Sequence, residues 1–456
     1  WVGLPINGFI FPVAILLAAL WTYFDKGVKG SIKKIAIVAM LVVVPVTIGI
    51  SMWLYDWSFD GQWYHSCTIR ELVAGWNPMY STSVRDSVDE VTRLWVEHYP
   101  RGIETIAATI VSCIGNIEAG KALNLWFVIS SVFYIYIFLH DALPAVNKYL
   151  RLWIALLVAF NPVVINQMCT HYIDWSLYTL LVILGGNLYL FFEKGERRAL
   201  YIVLLLLFFI PAIKLNIFFW IILWGGICFL FLLRRSRYKS PYRLTAICAV
   251  VALLGVGVGA YNPYLTNLKE HNTPFYPLAG EEKVDIMEDN TLPSMRGKSN
   301  VESVFTSLIA NPDNNMTSEE EVNVFYISRN NIASSIVADT RLGGFGIFFF
   351  EAVLLSAVLF VCTGRRRMAY YWLILAGLFV SLFILPSGWW ARYVAFFYLF
   401  PFVMLFYAER FGLKTRFTRR LHILILLLFS IDSSLCFCGL FRNIVHHERV
   451  DYLLDR

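Results

Sequence analysis

Long apolar runs recur along the whole chain and are separated by short polar connections. Each run holds about 20 residues, enough for a helix to cross the ~30 Å hydrocarbon core of a bilayer. The pattern has no ten-residue alternation of the kind that marks an outer-membrane barrel. It therefore predicts an all-α polytopic membrane protein with about a dozen spans. The spans are expected at residues 6–24, 34–55, 122–140, 152–170, 174–193, 199–213, 215–233, 244–262, 345–363, 368–385, 393–409 and 421–440.

Composition agrees with this prediction. Hydrophobic residues make up 58% of the chain and charged residues only 15%, whereas a soluble domain has roughly 25% charged residues. The net charge of +6 does not indicate a nucleic-acid partner, because the basic residues cluster in the short connections. The eight cysteines lie mostly in or beside apolar runs, and their spacing matches neither CxxC nor a Cys/His metal site.

The basic residues also predict an orientation. They fall in alternate connections, around Lys26–Lys34, Lys148, Lys194 and Arg410 among others, and this side should be the cytoplasm. Both long polar segments and both chain ends are then expected outside. A chain that begins outside with Trp1 suggests that further spans precede it.

The polar segments divide the chain into four predicted parts. In the first outer segment, one interfacial helix is expected from Asp60 to Gly75 and a second short one at 103–118. The second outer segment is acidic, and Thr317 with Glu320 is a plausible helix-opening capping box there. This segment is expected to be a cap over a site at the membrane surface. The parts are 1–33 (an extra span and loop), 34–262 (a transmembrane core with outer loop 56–121), 263–343 (the cap) and 344–456 (the last spans).

Asp60 is the first candidate for chemistry. Asp56 and Asp60 follow a long apolar run almost without a spacer, and an ionisable group at such a depth is a functional hypothesis by default. A carboxylate there can act as general base on an acceptor hydroxyl. The alternative is structural, because Ser58 or Asp60 could simply cap the interfacial helix.

Two cations are the matching candidates for an anionic substrate. Arg392 follows Trp389 and Trp390 where the chain re-enters the membrane, and its guanidinium suits a phosphate. Lys214 lies between two apolar runs and needs an anionic partner. The alternative for Arg392 is that it extends to lipid headgroups within an interfacial aromatic belt.

A metal site is a weaker possibility on the outer side. Carboxylate and imidazole side chains suit several metals, but none of the His and Glu residues there has tight helical ligand spacing. No metal or other cofactor is therefore expected. The residues concerned are His65, Glu97, His98, His171 and Asp174.

At these residues the chain resembles the GT-C superfamily of polytopic glycosyltransferases, in the form found in bacterial cell envelopes. The resemblance rests on D-G-Q-W-Y-H (Asp60 to His65) after a span, H-Y-P-R-G (His98 to Gly102), E-A-G-K-A-L-N before the next span, and a late A-R-Y (Ala391 to Tyr393). The segments Asn262–Gly280 and Asp339–Gly346 add to it. The span before the catalytic loop and the lack of a large C-terminal soluble domain depart from many members.

The resemblance implies a hexosyl- or pentosyltransferase that uses a polyprenyl-phosphate sugar. Asp60 would be the catalytic base, and Arg392, Tyr393 and Lys214 would hold the donor phosphate. Asp56, Tyr64, His65, His98 and Tyr99 would shape the acceptor site. The reaction would invert the sugar on the outer face of a bacterial inner membrane, with a glycan or lipid-linked acceptor.

Two other functions remain open at this stage. An oligosaccharide polymerase or ligase of the same fold would need the same carboxylate and cations. A lipid or solute transporter is the alternative from another class, but transporters usually place charge near the membrane midplane on repeated halves. Here the charges lie at the outer ends of the spans, and the sequence shows no internal repeat.

Overall fold

The computed structural model describes residues 3–27, 29–234, 241–285, 287, 290–316, 322, 324, 326–363, 368–385, 387–412 and 415–454. Within these residues the chain forms helices and their connections, and the only β pairing is an isolated bridge between Asp313 and Leu342. The expected capping box at Thr317 and Glu320 lies outside the described residues, as do parts of the basic connections after residues 234, 363 and 412.

The helices are joined by short connections over most of the chain and by longer ones in the two polar segments. In chain order they are α1 (Ile10–Phe24), α2 (Gly30–Trp53), α3 (Ser66–Val73), α4 (Glu90–His98), α5 (Gly102–Ile114), α6 (Ala122–Ala142), α7 (Lys148–Ala159), α8 (Pro162–Gln167), α9 (Asp174–Tyr189), α10 (Arg197–Phe209), α11 (Ile217–Arg234), α12 (Pro241–Leu254), α13 (Tyr261–His271), α14 (Asn300–Ile309), α15 (Arg329–Ser335), α16 (Phe349–Cys362), α17 (Met368–Ile384), α18 (Leu399–Phe411) and α19 (Arg416–Leu454).

Six helical stretches in the described residues are long and apolar enough to cross a membrane. The prediction of a helical, membrane-embedded chain is thereby confirmed at this level. Several shorter apolar helices, such as α1, α16 and the described part of α17, coincide with the other predicted spans, so that the count of twelve stays a prediction. The six are Gly30–Trp53, Ile117–Ala142, Asp174–Lys194, Pro241–Gly259, Ala391–Phe411 and Arg416–Arg442.

One predicted span is divided in two. Residues 152–170 were expected to form a single helix, but α7 ends before Phe160 and α8 begins at Pro162. The Asn161 side chain accepts a hydrogen bond from the Val164 N–H and so caps α8, while proline suits the first position of a helix. This break brings the side chains of Asn166 and Gln167 to the segment that follows α15.

The centre of the molecule is formed by α9 and by a tight 3₁₀ stretch, Ala391–Tyr398, which leads into α18. Most residues of α9 are buried, including Trp175 and Tyr178, and the 3₁₀ stretch is buried except at Arg392. A helix that is apolar on all sides belongs in a core. Asp174 is the first residue of α9 and Arg392 the second of the 3₁₀ stretch, so both lie where these buried elements begin.

The polar connections gather at two ends, as the alternation of charge predicts. At one end Asp25 pairs with Arg198, and Lys194 with Asp141, so the basic connections meet there. At the other end the two long polar segments meet, for example where His98 contacts Asn267 on α13. Which end faces the cytoplasm stays a prediction from the charge pattern.

Asp432 anchors the segment before α16. It lies within α19, is 2% exposed, and accepts the Phe348 N–H at 3.1 Å. Gly346 approaches it with φ +122°, and a Cβ there would lie 2.5 Å from Asp432 Oδ2, so glycine is needed for both the backbone and the contact. The carboxylate thus satisfies an otherwise unpaired donor at the start of a helix.

We expect Asp432→Ala to destabilise the protein by about 2 kcal/mol, because it leaves a buried backbone donor without its hydrogen-bond acceptor. The measurement is the thermal unfolding midpoint of the protein in nanodiscs. Asp432→Asn is the matched control, since it keeps one acceptor oxygen and should lose less. Equal midpoints for the wild type and Asp432→Ala would contradict this role.

Candidate functional site

Arg392 lies at the centre of three carboxylates. Its Nη1 donates to Asp60 Oδ2 at 3.2 Å and lies 3.6 Å from Asp174 Oδ2, while its Nε lies 3.1 Å from Asp339 Oδ1. The Arg392 side chain is only 10% exposed. It is therefore enclosed within the protein and does not extend to lipid headgroups, which was the alternative for this residue.

Lys214 completes the charged cluster. Its ammonium group pairs with Asp174, whose side chain is 3% exposed. The Lys214 Nζ also lies 4.2 Å from the centre of the Tyr393 ring, and the Arg392 guanidinium lies 4.9 Å from the same ring. Aromatic faces attract cations most strongly where water is excluded. Tyr393, predicted beside the donor phosphate, thus lies between the two cations.

Asp60 lies directly before a tight turn of the backbone that packs against the Asp56 and Ser58 side chains. It precedes one π-helical turn, Gly61–His65, and its side chain makes no helix-capping hydrogen bond. The capping role considered for Asp60 is therefore absent in the structure. A Cβ at position 61 would overlap the Asp56 and Ser58 side chains, so glycine permits the close turn. The Asp60 side chain stays 19% exposed, more than that of Asp174.

Asp56 holds two connections together. Its Oδ1 accepts the N–H and the hydroxyl of Ser58 at 2.8 and 2.6 Å, and its Oδ2 accepts the His171 N–H at 2.6 Å. The residue is 3% exposed. Both oxygens are thus engaged in joining the segment that carries Asp60 to the segment before Asp174. The predicted contact of Asp56 with the acceptor stays a prediction.

Three tyrosines form a wall beside the charges. The rings of Tyr64 and Tyr99 pack edge to face at 6.1 Å, and the Tyr172 ring lies 5.1 Å from the Arg392 guanidinium. Burial raises the pKa of all three phenols, and the charge on Asp60 adds to the effect. All three phenols therefore keep their protons at neutral pH and remain available as hydrogen-bond donors.

The two predicted histidines have protein partners of their own. His65 Nδ1 lies 2.6 Å from Glu104 Oε1, and both side chains are buried. His98 Nδ1 lies 2.7 Å from Asn267 Oδ1, and burial lowers the His98 pKa to about 4. The structure thus places His98 at the joint between the two polar segments, while His65 lies behind Tyr64, with ring centres 4.2 Å apart.

The residues considered for a metal do not come together. In the part of the chain that the structure describes, no three His, Cys, Asp or Glu side chains form a group that could hold a metal ion. Glu97 accepts the Val84 N–H at 2.8 Å, and Asp174 belongs to the cluster around Arg392.

Several buried polar atoms around Arg392 lack hydrogen-bond partners among the described residues. They include the Tyr172 hydroxyl and Trp390 Nε1. A cavity of about 280 Å³ lies beside them and is lined by Tyr172, Ser58 and Asp339. Buried polar atoms are rarely left unpaired. Unpaired atoms next to a cavity indicate a place for a polar ligand.

A second cavity of about 990 Å³ lies farther along the same central helices. It is lined almost wholly by apolar side chains, and its first residue on α9 is Leu181, about 10 Å along the axis from Asp174. The buried rings of Trp175, Tyr178 and Tyr398 occupy the core of the central elements before it. Polar groups appear mainly at its far end.

Sequence reasoning placed two members of this site differently. Asp174 was considered only as a metal ligand, and Asp339 only as part of a resembling segment. Asp174 opens a long apolar helix, which was a usable signal of a buried charge. Asp339 lies in a polar segment rich in carboxylates, and its approach to Arg392 depends on tertiary structure. The chain matches no protein-family model, and no curated protein or solved structure is significantly similar to it.

Proposed function

We propose that this protein is a membrane glycosyltransferase. It moves a sugar from a polyprenyl phosphate to an acceptor hydroxyl on the outer face of the membrane. The observation that carries the proposal is the pair of enclosed cations, Arg392 and Lys214, beside the reachable carboxylate of Asp60. The two cations suit a phosphate leaving group, and the carboxylate suits the role of general base.

The reaction assigns one task to each side of the site. The acceptor oxygen attacks the anomeric carbon, and its proton passes to Asp60. The bond from that carbon to the phosphate oxygen breaks on the opposite side, and its electron pair leaves with the phosphate. Arg392 and Lys214 stabilise the charge that develops there, in a site that excludes water. Attack opposite the leaving group inverts the sugar.

The charges of the site constrain how a phosphate enters. If all are ionised, three carboxylates face two cations, so an added anion needs one carboxylate to take up a proton. Asp339 is best suited. Burial raises its pKa above the usual range, Asp60 and Asp174 raise it further, and Arg392 and Arg341 oppose the shift. A bound phosphate would raise this pKa more.

The binding of a singly charged phosphodiester tests this proposal. Farnesyl methyl phosphate should bind the protein in nanodiscs at least about tenfold more tightly than farnesyl methyl ether, because only the phosphate can engage both cations. Lys214→Gln should remove most of this difference. The matched control is Lys194→Gln, which alters a lysine–aspartate pair at the opposite end.

The same titration has a pH dependence with a defined sign. Since binding takes up a proton at Asp339, affinity should fall as pH rises, and Asp339→Asn should abolish that slope. The ligand is a diester and does not itself titrate in this range. Equal affinity for the diester and the ether in the wild type would contradict the proposed donor site.

A further inference from the structure

The 280 Å³ cavity beside Asp339 is lined by both polar and apolar side chains. Its polar lining includes Ser58, Tyr172, whose hydroxyl has no hydrogen-bond partner among the described residues, and Asp339, which pairs with Arg392. Its apolar lining includes Trp53 and Leu440, which lie at or near the ends of two candidate spans. The cavity therefore connects the charged cluster with the level at which those spans end.

The segment between α2 and the π-helical turn forms one wall of this cavity. Its side chains alternate: Trp53, Tyr55, Trp57 and Phe59 are 56%, 46%, 43% and 74% exposed, while the residues between them turn inward. Alternation of this kind is expected for extended backbone. An aromatic belt alone would explain exposed Trp and Tyr at a membrane surface, but it would not explain a cavity behind them that is lined by the Tyr172 hydroxyl, which has no partner among the described residues.

The charge of the cavity lining indicates which of the two substrates, the phosphate-bearing donor or the acceptor, suits this cavity. Among the described residues, the cavity lining includes no Lys, Arg or His, and Asp339 is its one carboxyl group. A phosphate in this cavity would therefore meet a carboxylate and no cation in the described lining, whereas Arg392 and Lys214 lie outside that lining. Hydroxyl, amide and carboxylate groups instead suit an uncharged, hydroxyl-rich molecule.

We propose that this cavity binds the acceptor, and that the acceptor is an uncharged, hydroxyl-bearing headgroup carried on an apolar chain. Its headgroup lies against Ser58, Tyr172 and Asp339, and its chain passes Trp53 and Leu440 into the bilayer. This inference rests on the proposed sugar transfer and adds the class of the acceptor. A soluble glycan carries no apolar chain that could contact the apolar side chains of the cavity lining.

The inference is tested by measuring ligand binding before and after a bulky side chain is placed in the cavity. Protein in nanodiscs is titrated with decyl β-glucoside, decyl β-galactoside and decyl β-maltoside, with the corresponding free sugars, and with farnesyl methyl phosphate. At least one alkyl glycoside should bind about tenfold or more tightly than its free sugar, because it buries an apolar chain as well. Ala338→Trp should weaken this binding by about tenfold or more and leave the phosphodiester unaffected.

Two further variants keep the test interpretable. Val337→Trp, at a more exposed lining position, replaces Ala338→Trp if the latter does not fold. Ala279→Trp, in the polar segment outside the cavity, adds the same bulk elsewhere and should change neither affinity. Because the phosphodiester is measured in the same series, failure of the donor site is seen separately from failure of the acceptor cavity.

Several results would overturn the inference. Unchanged alkyl-glycoside binding in Ala338→Trp would mean that the cavity is not the acceptor site. Loss of the phosphodiester instead would assign it to the donor. Equal binding of free sugars and alkyl glycosides would indicate a soluble acceptor, and no binding of any uncharged glycoside would remove the proposed class.

Discussion

Replacing Asp60 by asparagine is expected to abolish sugar transfer while the donor remains bound. The amide keeps the shape of the carboxylate but cannot accept the proton of the acceptor hydroxyl, a loss of about 10²–10⁴ in rate. The phosphodiester should bind at least as well, because one negative charge next to Arg392 has been removed. The measurement is the loss of radiolabelled sugar from a panel of polyprenyl-phosphate sugars in proteoliposomes supplied with a membrane extract.

The same substitution at two other aspartates, Asp25 and Asp339, is compared with Asp60→Asn. Asp25→Asn alters a carboxylate that pairs with Arg198 at the opposite end, and it should transfer sugar at the wild-type rate. If Asp339→Asn were inactive and Asp60→Asn retained activity, the base would be Asp339. If the labelled lipid crossed the bilayer with its sugar attached, the protein would be a transporter.

Replacing Arg392 by glutamine is expected to cost stability as well as activity. The change leaves the Asp60, Asp174 and Asp339 carboxylates in an enclosed site without the cation that contacts all three. Removing one partner of a buried charge cluster costs about 3–5 kcal/mol. The thermal unfolding midpoint in nanodiscs should therefore fall strongly, and transfer should be lost.

Arg392→Lys separates charge from geometry. Lysine keeps the positive charge, so most of the stability should return. It lacks the planar fork that reaches several oxygens at once, so transfer should stay at least about tenfold below wild type. A wild-type midpoint in Arg392→Gln would contradict the buried role, and wild-type activity in Arg392→Lys would show that a point charge is enough.

The sequence predicts the helical class well, because an apolar run long enough to span a bilayer has few other uses. It predicts the division of the chain into helices less well. Asn161 and Pro162 are a capping residue and a proline that together indicate the start of a helix. The average hydropathy of residues 152–170 nevertheless stays high enough to predict a single span. The last predicted span ends at residue 440, whereas α19 continues to Leu454. This extension is polar, so a search for apolar runs does not detect it.

The site shows a similar division. Asp60, Lys214 and Arg392 were selected because charges beside apolar runs need partners, and Tyr393 because of the resemblance at A-R-Y. The structure brings the four together. Their partner Asp339 has no such local signal. Tertiary structure alone decides which acidic residue of a polar segment meets the arginine.

Asp56 illustrates the opposite difficulty. By sequence it has the same apolar approach as Asp60 and the same chemistry, four residues earlier. The structure separates them by their neighbours: Asp56 is saturated by Ser58 and the His171 backbone, whereas Asp60 keeps some exposure. A hydrogen bond between residues 115 apart leaves no trace in a single sequence.

The span of chain between Asp60 and Arg392, 332 residues, also bears on biogenesis. During synthesis, the ribosome releases Asp60, Asp174 and Lys214 long before the last member of the cluster exists. These charges must wait at the membrane surface, in contact with water or with the insertion machinery, until residues 391–411 enter the bilayer. A chain that stalls before that point would carry unneutralised carboxylates on half-assembled helices, which quality-control proteases could recognise.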